Sequence, residues 1–367
     1  MDVTPYLKLM AEKKASDVFF STGAEPHIKI DGNIRPVGQD KLQPGEVEKM
    51  ARGIMNDAQR DEFDSTLECN FAIPLRDIGR FRVNIFRQRG EVSIVIRYIQ
   101  SDIPRMGQMN LPSALENIVM EKRGLILVVG ATGSGKSTTL AAMIGHRNRN
   151  STSHILTIED PLEFIHHHEK SIIQQREVGI DTMTYENALK NALREAPDVI
   201  LIGEIRDMDT MKYAINYAET GHLCLATLHA NNANQAIDRI LNFFPEVYHR
   251  QLLTDLSLNL RSIVSQRLLK STEGKSVPAV EVMNNSPYIA ELISKGSIGE
   301  IKEAMKESTD EGTITFDQAL LSLYRKDLIT LEEALHNSDS KNDLGLAIRM
   351  GDGNDEDDED DSELILG

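Results

Sequence analysis

The chain has 367 residues, is 40% hydrophobic and carries a formal net charge of −17 at pH 7, which suits about two globular domains and speaks against general nucleic-acid binding, where a basic surface supplies most of the affinity. Two cysteines, Cys69 and Cys224, stand far apart and exclude both a disulfide framework and a four-cysteine zinc module. The start, Met1-Asp2-Val3-Thr4-Pro5, lacks the regions of a signal peptide and no apolar run approaches the ~20 residues that span a bilayer, so a cytosolic protein with no transmembrane segment is expected.

Residues 1–100 read as a small α+β domain. Tyr6 to Lys14 has the spacing of a short amphipathic helix, Asp17 to Phe20 and His27 to Ile30 read as strands, and Asp31-Gly32 as the hairpin turn before a third. Glu46 to Met55 reads as helical. In Arg80-Phe81-Arg82-Val83-Asn84-Ile85-Phe86, strict alternation sets Phe81, Val83 and Ile85 on one face and Arg80, Arg82 and Asn84 on the other. Arg97 comes near the end of the return strand, Val92 to Ile99. Two readings of these guanidinium groups stay open: a solvated sheet face paired with nearby carboxylates, or arginines that meet phosphate charge across an interface.

Residues 101–112, with Pro104 and Gly107, read as a linker, and residues 113–285 as an α/β core. Strands at Leu125 to Val129, His154 to Ile158, Val199 to Ile202, Leu223 to Thr227 and Val277 to Val282 alternate with helical patterns such as Thr184 to Ala196 and Asp209 to Thr220. That order implies a mostly parallel sheet with helices on both faces. After the first strand stands Gly130-Ala131-Thr132-Gly133-Ser134-Gly135-Lys136-Ser137-Thr138, a phosphate-loop pattern between the strand and helix it needs. The glycines let backbone N–H groups close on a phosphate, and the helix start adds partial positive charge. Lys136 would reach the β and γ oxygens of ATP, and the Ser137 hydroxyl would take a Mg2+ position. A glycine-rich turn that bound nothing would need neither the lysine nor the hydroxyl.

Ligands in such sheets sit at the carboxyl ends of the strands. Glu159-Asp160-Pro161-Leu162-Glu163 follows the second strand, Gly203-Glu204-Ile205-Arg206-Asp207 the third, and His229 and Asn231 the fourth, with His222 just before it. From this placement Glu204 is assigned to Mg2+, directly or through water, and Glu163 or Glu159 to orienting and deprotonating the attacking water. For each single carboxylate a helix cap or surface pair is the alternative. His222 and His229 are candidates for sensing the γ-phosphate, against a purely structural histidine. Asp198 precedes its strand and is expected away from the metal. His166-His167-His168-Glu169 reads as a surface loop, because adjacent side chains diverge too far to face one ion.

Past Asn232 the pattern reads as mostly helical, first Asn232 to Phe244 and then Tyr248 to Leu269. Residues 286–350 form a helical subdomain with segments at Pro287 to Ser294, Ile298 to Glu307, Thr315 to Arg325 and Leu331 to Asn337. Thr315 and Thr330 are N-cap candidates, with Gln318 and Glu333 as capping-box partners. Residues 351–367 hold nine acidic residues and no basic one, leaving −8 on the rest. This tail is expected to be disordered, either as a plain solvated extension or as a docking segment for a basic partner.

The ordered set GATGSGKST from Gly130 to Thr138, TIEDPLEF from Thr157 to Phe164, QREVG from Gln175 to Gly179, REAPDVILIGEIRD from Arg194 to Asp207 and TGHL with ATLHA from Thr220 to Ala230 resembles the secretion-ATPase superfamily. Within it the chain is similar to the type IV pilus retraction ATPases, the PilT and PilU family. The likeness runs from residue 1 to about residue 350. It implies an α/β fold, a RecA-like P-loop ATPase core with an N-terminal α+β PAS-like domain and C-terminal helices. It also implies a homohexamer, peripheral at the cytoplasmic face of the inner membrane, where hydrolysis of ATP with Mg2+ drives pilus retraction and twitching motility. By motif match, Lys136 and Ser137 belong to the Walker A box, and Glu159, Asp160 and Glu163 to the Asp box with Glu163 as the base. Gly203 and Glu204 match the Walker B box, and His222 and His229 the His box. Arg80, Arg82 and Arg97 match the N-domain arginines that contact nucleotide.

Two departures refine the resemblance. The four-cysteine zinc module of assembly and secretion members is missing, which argues against a pilus-extension motor. Tyr288-Ile289-Ala290-Glu291-Leu292-Ile293 stands where PilT-type members carry an A-I-R-N-L-I type motif. With the acidic tail, that moves the resemblance toward PilU and implies an accessory motor acting with a PilT-like retraction ATPase at an inner-membrane pilus platform protein. The primary retraction ATPase and a nucleotide-binding adaptor with little hydrolysis are the alternatives. A DNA-translocating motor is disfavoured by the charge.

Overall fold

The computed structural model describes residues 2–30, 32–76, 78–99, 101–310 and 312–352. Asp31 of the expected hairpin turn and the acidic tail from residue 353 onward lie outside the described residues. The chain divides into two units. One takes Met1–Ile103, Asp160–His167 and Gln175–Asn187, and the other Pro104–Glu159, His168–Gln174 and Ala188–Gly367. Among the described residues no helix is long and apolar enough to cross a membrane.

The first unit opens with α1 (Thr4–Lys13), β1 (Asp17–Ser21), β2 (His27–Ile30) and β3 (Asn33–Pro36). It continues through α2 (Glu46–Ile54), α3 (Asp57–Thr66), β4 (Glu68–Leu75), β5 (Gly79–Gln88) and β6 (Glu91–Ile99). The strands pair in the order β3-β2-β1-β6-β5-β4, and each pairing is antiparallel. The alternation read in β5 holds, since Phe81, Val83 and Ile85 are fully buried. They share a core with Val18, Phe20, Ile94 and Ile96 of the sheet and with Met10, Val47 and Phe63 of the helices; each such side chain contributes about 1.5–3 kcal/mol on leaving water. Helix α3, which the sequence reading passed over, starts on a closed capping box in which Asn56 and Gln59 each accept the other's backbone N–H at 2.9 Å.

The remaining elements, of which β9 and α6 lie partly in the first unit, are α4 (Ala114–Ile118), β7 (Gly124–Val129), α5 (Lys136–Asn150), β8 (His154–Glu159), β9 (Ile172–Glu177), α6 (Tyr185–Ala192) and β10 (Val199–Ile202). Then come α7 (Met208–Glu219), β11 (Leu223–Leu228), α8 (Ala233–Asn242), α9 (His249–Asn259), β12 (Leu260–Lys270) and β13 (Ser276–Asn284). The chain closes with α10 (Pro287–Lys295), α11 (Ile301–Lys306), α12 (Phe316–Arg325), α13 (Leu331–Asn337) and α14 (Lys341–Asp352). Seven strands pair in the order β13-β12-β7-β11-β10-β8-β9. From β12 through β7, β11 and β10 to β8 they are parallel, and β13 returns antiparallel to β12. Strands β7, β10 and β11 are buried at every position, which is why they read as unbroken apolar runs.

One expectation is overturned here. The helix expected from Tyr248 to Leu269 ends at Asn259, and Leu260–Lys270 is a strand. Apolar spacing alone does not separate a buried strand from a buried helix segment. Pairing decides it: β12 fills the slot between β7 and β13, matching Val264 with Val128 on one side and Val282 on the other. A second correction concerns α13. Thr330 caps it by accepting from Glu333 N, but the Glu333 carboxylate takes the backbone N–H of Lys270 at 3.1 Å instead of closing a capping box. The box at Thr315 and Gln318 is closed as read.

Helices α12 to α14 pack Phe316, Leu320, Leu323, Leu344 and Ile348 onto Leu269, Val277 and Ala279 at the end of the β12–β13 hairpin. A polar clamp sits beside this core. Asp339 accepts from Arg267 Nη2 at 2.6 Å and from Lys302 Nζ at 2.9 Å, and the Arg267 guanidinium lies 3.8 Å from the Phe316 ring centroid. Burial pushes the Asp339 carboxyl up, but the hydrogen bonds from Lys302 and Arg267 outweigh it and hold the pKa below the usual range. Its stabilisation is therefore present above the unfolded-state pKa near 3.9 and is lost as pH falls through the folded-state value. Asp339→Asn should cost about 3 kcal/mol at pH 7, the scale for breaking a largely buried ion pair. In urea denaturation the gap between variant and wild type should shrink as pH falls below the unfolded-state value and through the lowered folded-state one.

Candidate active site

The loop Gly130 to Thr138 joins β7 to α5, and its shape follows from its small residues. Gly133 and Gly135 lie at φ 79° and 88°, a region that costs a side-chain-bearing residue ~1 kcal/mol or more. At Gly130 the constraint is space: a Cβ there would stand 2.4 Å from Ser134 Oγ and 2.5 Å from the Gln266 carbonyl oxygen. Lys136, Ser137 and Thr138 form the first turn of α5, while Ala131, Thr132 and Ser137 are exposed. Lys136 Nζ donates to the Gly130 and Ala131 carbonyls at 2.8 and 2.9 Å, so its ammonium is folded over the loop. Burial lowers its pKa, and the charge of Glu204 opposes that shift. Ser134 Oγ is buried with no hydrogen-bond partner among the described residues. A narrow turn of glycines, an orphaned hydroxyl, a half-buried amine and a helix N-terminus together fit a phosphate group.

Three further predicted residues stand at the same edge of this sheet. Glu204 follows β10, His229 follows β11 and Glu159 ends β8. The Gly203–Ile205 turn is gripped from both sides by Thr227, whose hydroxyl donates to the Gly203 carbonyl at 2.5 Å and whose carbonyl accepts from Ile205 N at 2.9 Å. Glu204 Oε1 lies 2.7 Å from His229 Nε2, and Oε2 accepts from Arg206 Nε at 2.5 Å. Glu159 Oε1 accepts from the Thr157 hydroxyl at 2.7 Å. Asp207 has a different task, capping α7 through Thr210 N. Among the described residues no group of three or more His, Cys, Asp or Glu is placed to hold a metal. Ser137 and Glu204 fit Mg2+ all the same, because that ion takes one or two protein oxygens and fills its shell with phosphate and water.

His222 departs from expectation. It precedes β11, where its carbonyl accepts from Gly124 N and its Nδ1 meets the Thr220 hydroxyl at 3.1 Å. Because Leu223 pairs with Gly124 and Leu228 with Val129, His222 is about 17 Å of strand from the loop within its own chain. Asp198 is likewise at the amino edge, accepting from His154 N at 2.8 Å. The three histidines from His166 to His168 lie on an irregular, partly exposed segment.

The remaining predicted residues belong to the first unit. Glu163 is exposed on the Asp160–His167 segment. Arg82 Nε donates to Glu177 Oε1 at 3.0 Å and its Nη2 to the Leu162 carbonyl at 2.5 Å, next to Glu163. Glu177 is buried, and burial raises its pKa against the pull of Arg82. Arg80 lies 3.8 Å from Asp181, and Arg97 donates to the buried Asp17 at 2.8 Å. Arg82 and Arg97 sit directly opposite in the β5–β6 ladder, and two like charges there are tolerable because each has its own carboxylate. Of the two readings of this hairpin, paired carboxylates describe the present geometry.

Sequence reasoning missed Gln266. Its side chain, 2% exposed, accepts from the Thr139 hydroxyl at 2.7 Å and donates to the Ser134 carbonyl at 2.8 Å. No local pattern marks it; only the pairing of β12 with β7 brings it to the loop.

A parallel sheet with a phosphate loop after one central strand and carboxylates at neighbouring strand tips defines a RecA-like secretion ATPase fold. The chain belongs to the family described as type II/IV secretion system protein, whose sequence profile matches residues 2–322. It is 52% identical over 358 residues to the Pseudomonas aeruginosa type IV pilus ATPase PilU, covering 97% of this chain and 94% of that one. It is 40% identical over 334 residues to the PilT retraction ATPase of the same organism, covering 91% and 97%. The crystal structure of the pilus retraction motor PilT with bound ADP superposes with a TM-score of 0.87 at 39% identity, covering 94% of this chain and 99% of that one.

The crowding at Gly130 makes it a sharp test of the loop. Gly130→Ala should keep the fold but weaken ADP binding by at least about tenfold, or ~1.4 kcal/mol, as the displaced loop misaligns its N–H groups. Calorimetric titration with ADP checks this.

Proposed function

We propose that this chain is a Mg2+-dependent ATPase motor of type IV pilus retraction, an accessory motor of the PilU kind that works beside a PilT-like ATPase. What carries the reading is that an intact phosphate loop, with its lysine, serine and strand-tip glutamate, occurs in a chain alike over nearly its whole length to named pilus ATPases. The ADP bound in the related PilT structure supports an adenine nucleotide as the ligand.

In this reading the Lys136 ammonium leaves the Gly130 and Ala131 carbonyls for the β and γ oxygens, exchanging neutral acceptors for charged ones, a gain for a half-buried cation. The Gly133, Ser134 and Gly135 stretch offers backbone N–H groups to the β-phosphate, with the start of α5 adding its dipole. Ser137 and Glu204 would hold Mg2+, which when bound supplies charge neutralisation between the β and γ phosphates. His229 holds the Glu204 carboxylate in one orientation, and Thr227 fixes the turn that bears it. Glu163 is assigned to deprotonating the attacking water, by resemblance, with Glu159 as the other candidate. Arg80, Arg82 and Arg97 remain proposed nucleotide contacts, and each would have to trade a carboxylate for a phosphate oxygen. Substitution of the arginine and asparagine expected on α10 by Ala290 and Glu291 supports the accessory role; here Glu291 is spent on a surface pair with Lys295. A homohexameric ring at the cytoplasmic face of the inner membrane, against a pilus platform protein, completes the proposal.

Lys136→Ala should abolish nucleotide binding, whereas Glu204→Ala should bind ATP and release little phosphate. Normal phosphate release by Glu204→Ala would remove it from the reaction. ATPase assays of the purified protein, alone and mixed with a PilT-like partner, separate motor from adaptor: an adaptor shows little turnover alone, and Lys136→Ala in it leaves the turnover of the mixture unchanged.

A further inference from the structure

We propose that Gln266 is a positioning residue for the nucleotide reaction, setting the shape of the phosphate loop from the neighbouring strand. This rests on the reading that ATP binds the Gly130 to Thr138 loop. Three contacts place Gln266 at separate points of that loop. Its Nε2 donates to the Ser134 carbonyl, its Oε1 accepts from Thr139 one turn into α5, and its own backbone carbonyl oxygen lies 2.5 Å from where a Cβ on Gly130 would stand. The side chain also lies against Gly135, where a Cβ would meet Nε2 at 2.8 Å. One residue thus bounds the loop at its first glycine, at its last glycine and at the helix it feeds.

The amide has only one useful orientation. The Ser134 carbonyl can only accept, so it must face the NH2 end, which leaves the carbonyl end for the Thr139 hydroxyl. The consequence reaches the phosphate side. In a planar trans peptide the C=O and the following N–H point in opposite directions. A Ser134 carbonyl held toward β12 therefore turns the Gly135 N–H away from β12, and this N–H is one of the donors a bound β-phosphate would use. Without the amide the Ser134–Gly135 peptide is free to rotate, because Gly135 sits where glycine alone moves at little cost. Methionine has nearly the same length and volume as glutamine but neither polar end, so Gln266→Met removes the orientation and keeps the packing.

The effect expected is loss of ground-state binding more than loss of chemistry, since a misturned donor is missing before and during the reaction alike. Gln266→Met should raise the Kd for ADP and the KM for ATP by about tenfold or more, with kcat reduced less than about threefold. Thr139→Val, which removes the hydroxyl that steadies the amide but leaves its bond to Ser134, should give a smaller rise of about threefold in both. The double variant should be no worse than Gln266→Met alone, because the two side chains act through one bond network. Melting without nucleotide reports folding separately. A folded Gln266→Met protein with wild-type ADP affinity would overturn the proposal; should that variant fail to fold, a folded Thr139→Val protein with unchanged Kd and KM would do so. Lys136→Ala is the control for the underlying reading: if it still binds ADP, the nucleotide site is elsewhere, whatever Gln266 does.

Discussion

The insertion of β12 between β7 and β13 is the constraint on which the rest of this unit depends. Three consecutive residues of that strand serve three different parts. The Ser265 hydroxyl donates to the buried Glu281 carboxylate at 3.0 Å, which also accepts the backbone N–H of Ala233 and so pins the first turn of α8, just past His229. Gln266 holds the phosphate loop, and Arg267 holds the C-terminal helices through Asp339 and the Asn337 carbonyl. Side chains alternate along a strand, so Ser265 and Arg267 share one face while Gln266 takes the other. A shift of register by one residue would exchange those faces and break all three connections at once. Burial raises the Glu281 pKa, with the Ala233 N–H and the Ser265 hydroxyl pulling the other way; removing the carboxyl would leave both buried donors without this acceptor, at a desolvation cost.

Charge is arranged economically around the loop. Lys136 leans on two neutral carbonyls, and Glu204 is close enough to oppose the fall in its pKa while itself being met by His229 and Arg206. Lys136 therefore has two neutral partners that a polyphosphate could replace by charged, stronger ones. In the first unit the same rule appears in another form, with Arg82 and Arg97 each neutralised by a buried carboxylate. These two pairs place two guanidinium groups side by side, each with its charge met.

Much of this was legible from the residues alone because it is local. The phosphate loop, the strand ahead of it and the helix after it are contiguous, and the alternation in β5 correctly set Phe81, Val83 and Ile85 inside. The failures share a cause, which is dependence on pairing across long sequence separations. Strand β12 reads as helix because a short apolar run buried on both faces carries no period of two, and only the pairing with β7 and β13 decides it. Gln266 followed that error, since its partners lie more than a hundred residues away. The place of His222 was legible too, since a residue just ahead of β11 stands at that strand's amino end.

That the loop after β7 holds the triphosphate is best tested by a crystal structure with a non-hydrolysable ATP analogue and Mg2+. The phosphates should lie against Gly133 to Ser137, with Lys136 Nζ withdrawn from the Gly130 and Ala131 carbonyls and Glu204 facing the ion. Phosphates bound elsewhere, or a lysine still seated on those two carbonyls with nucleotide present, would contradict it.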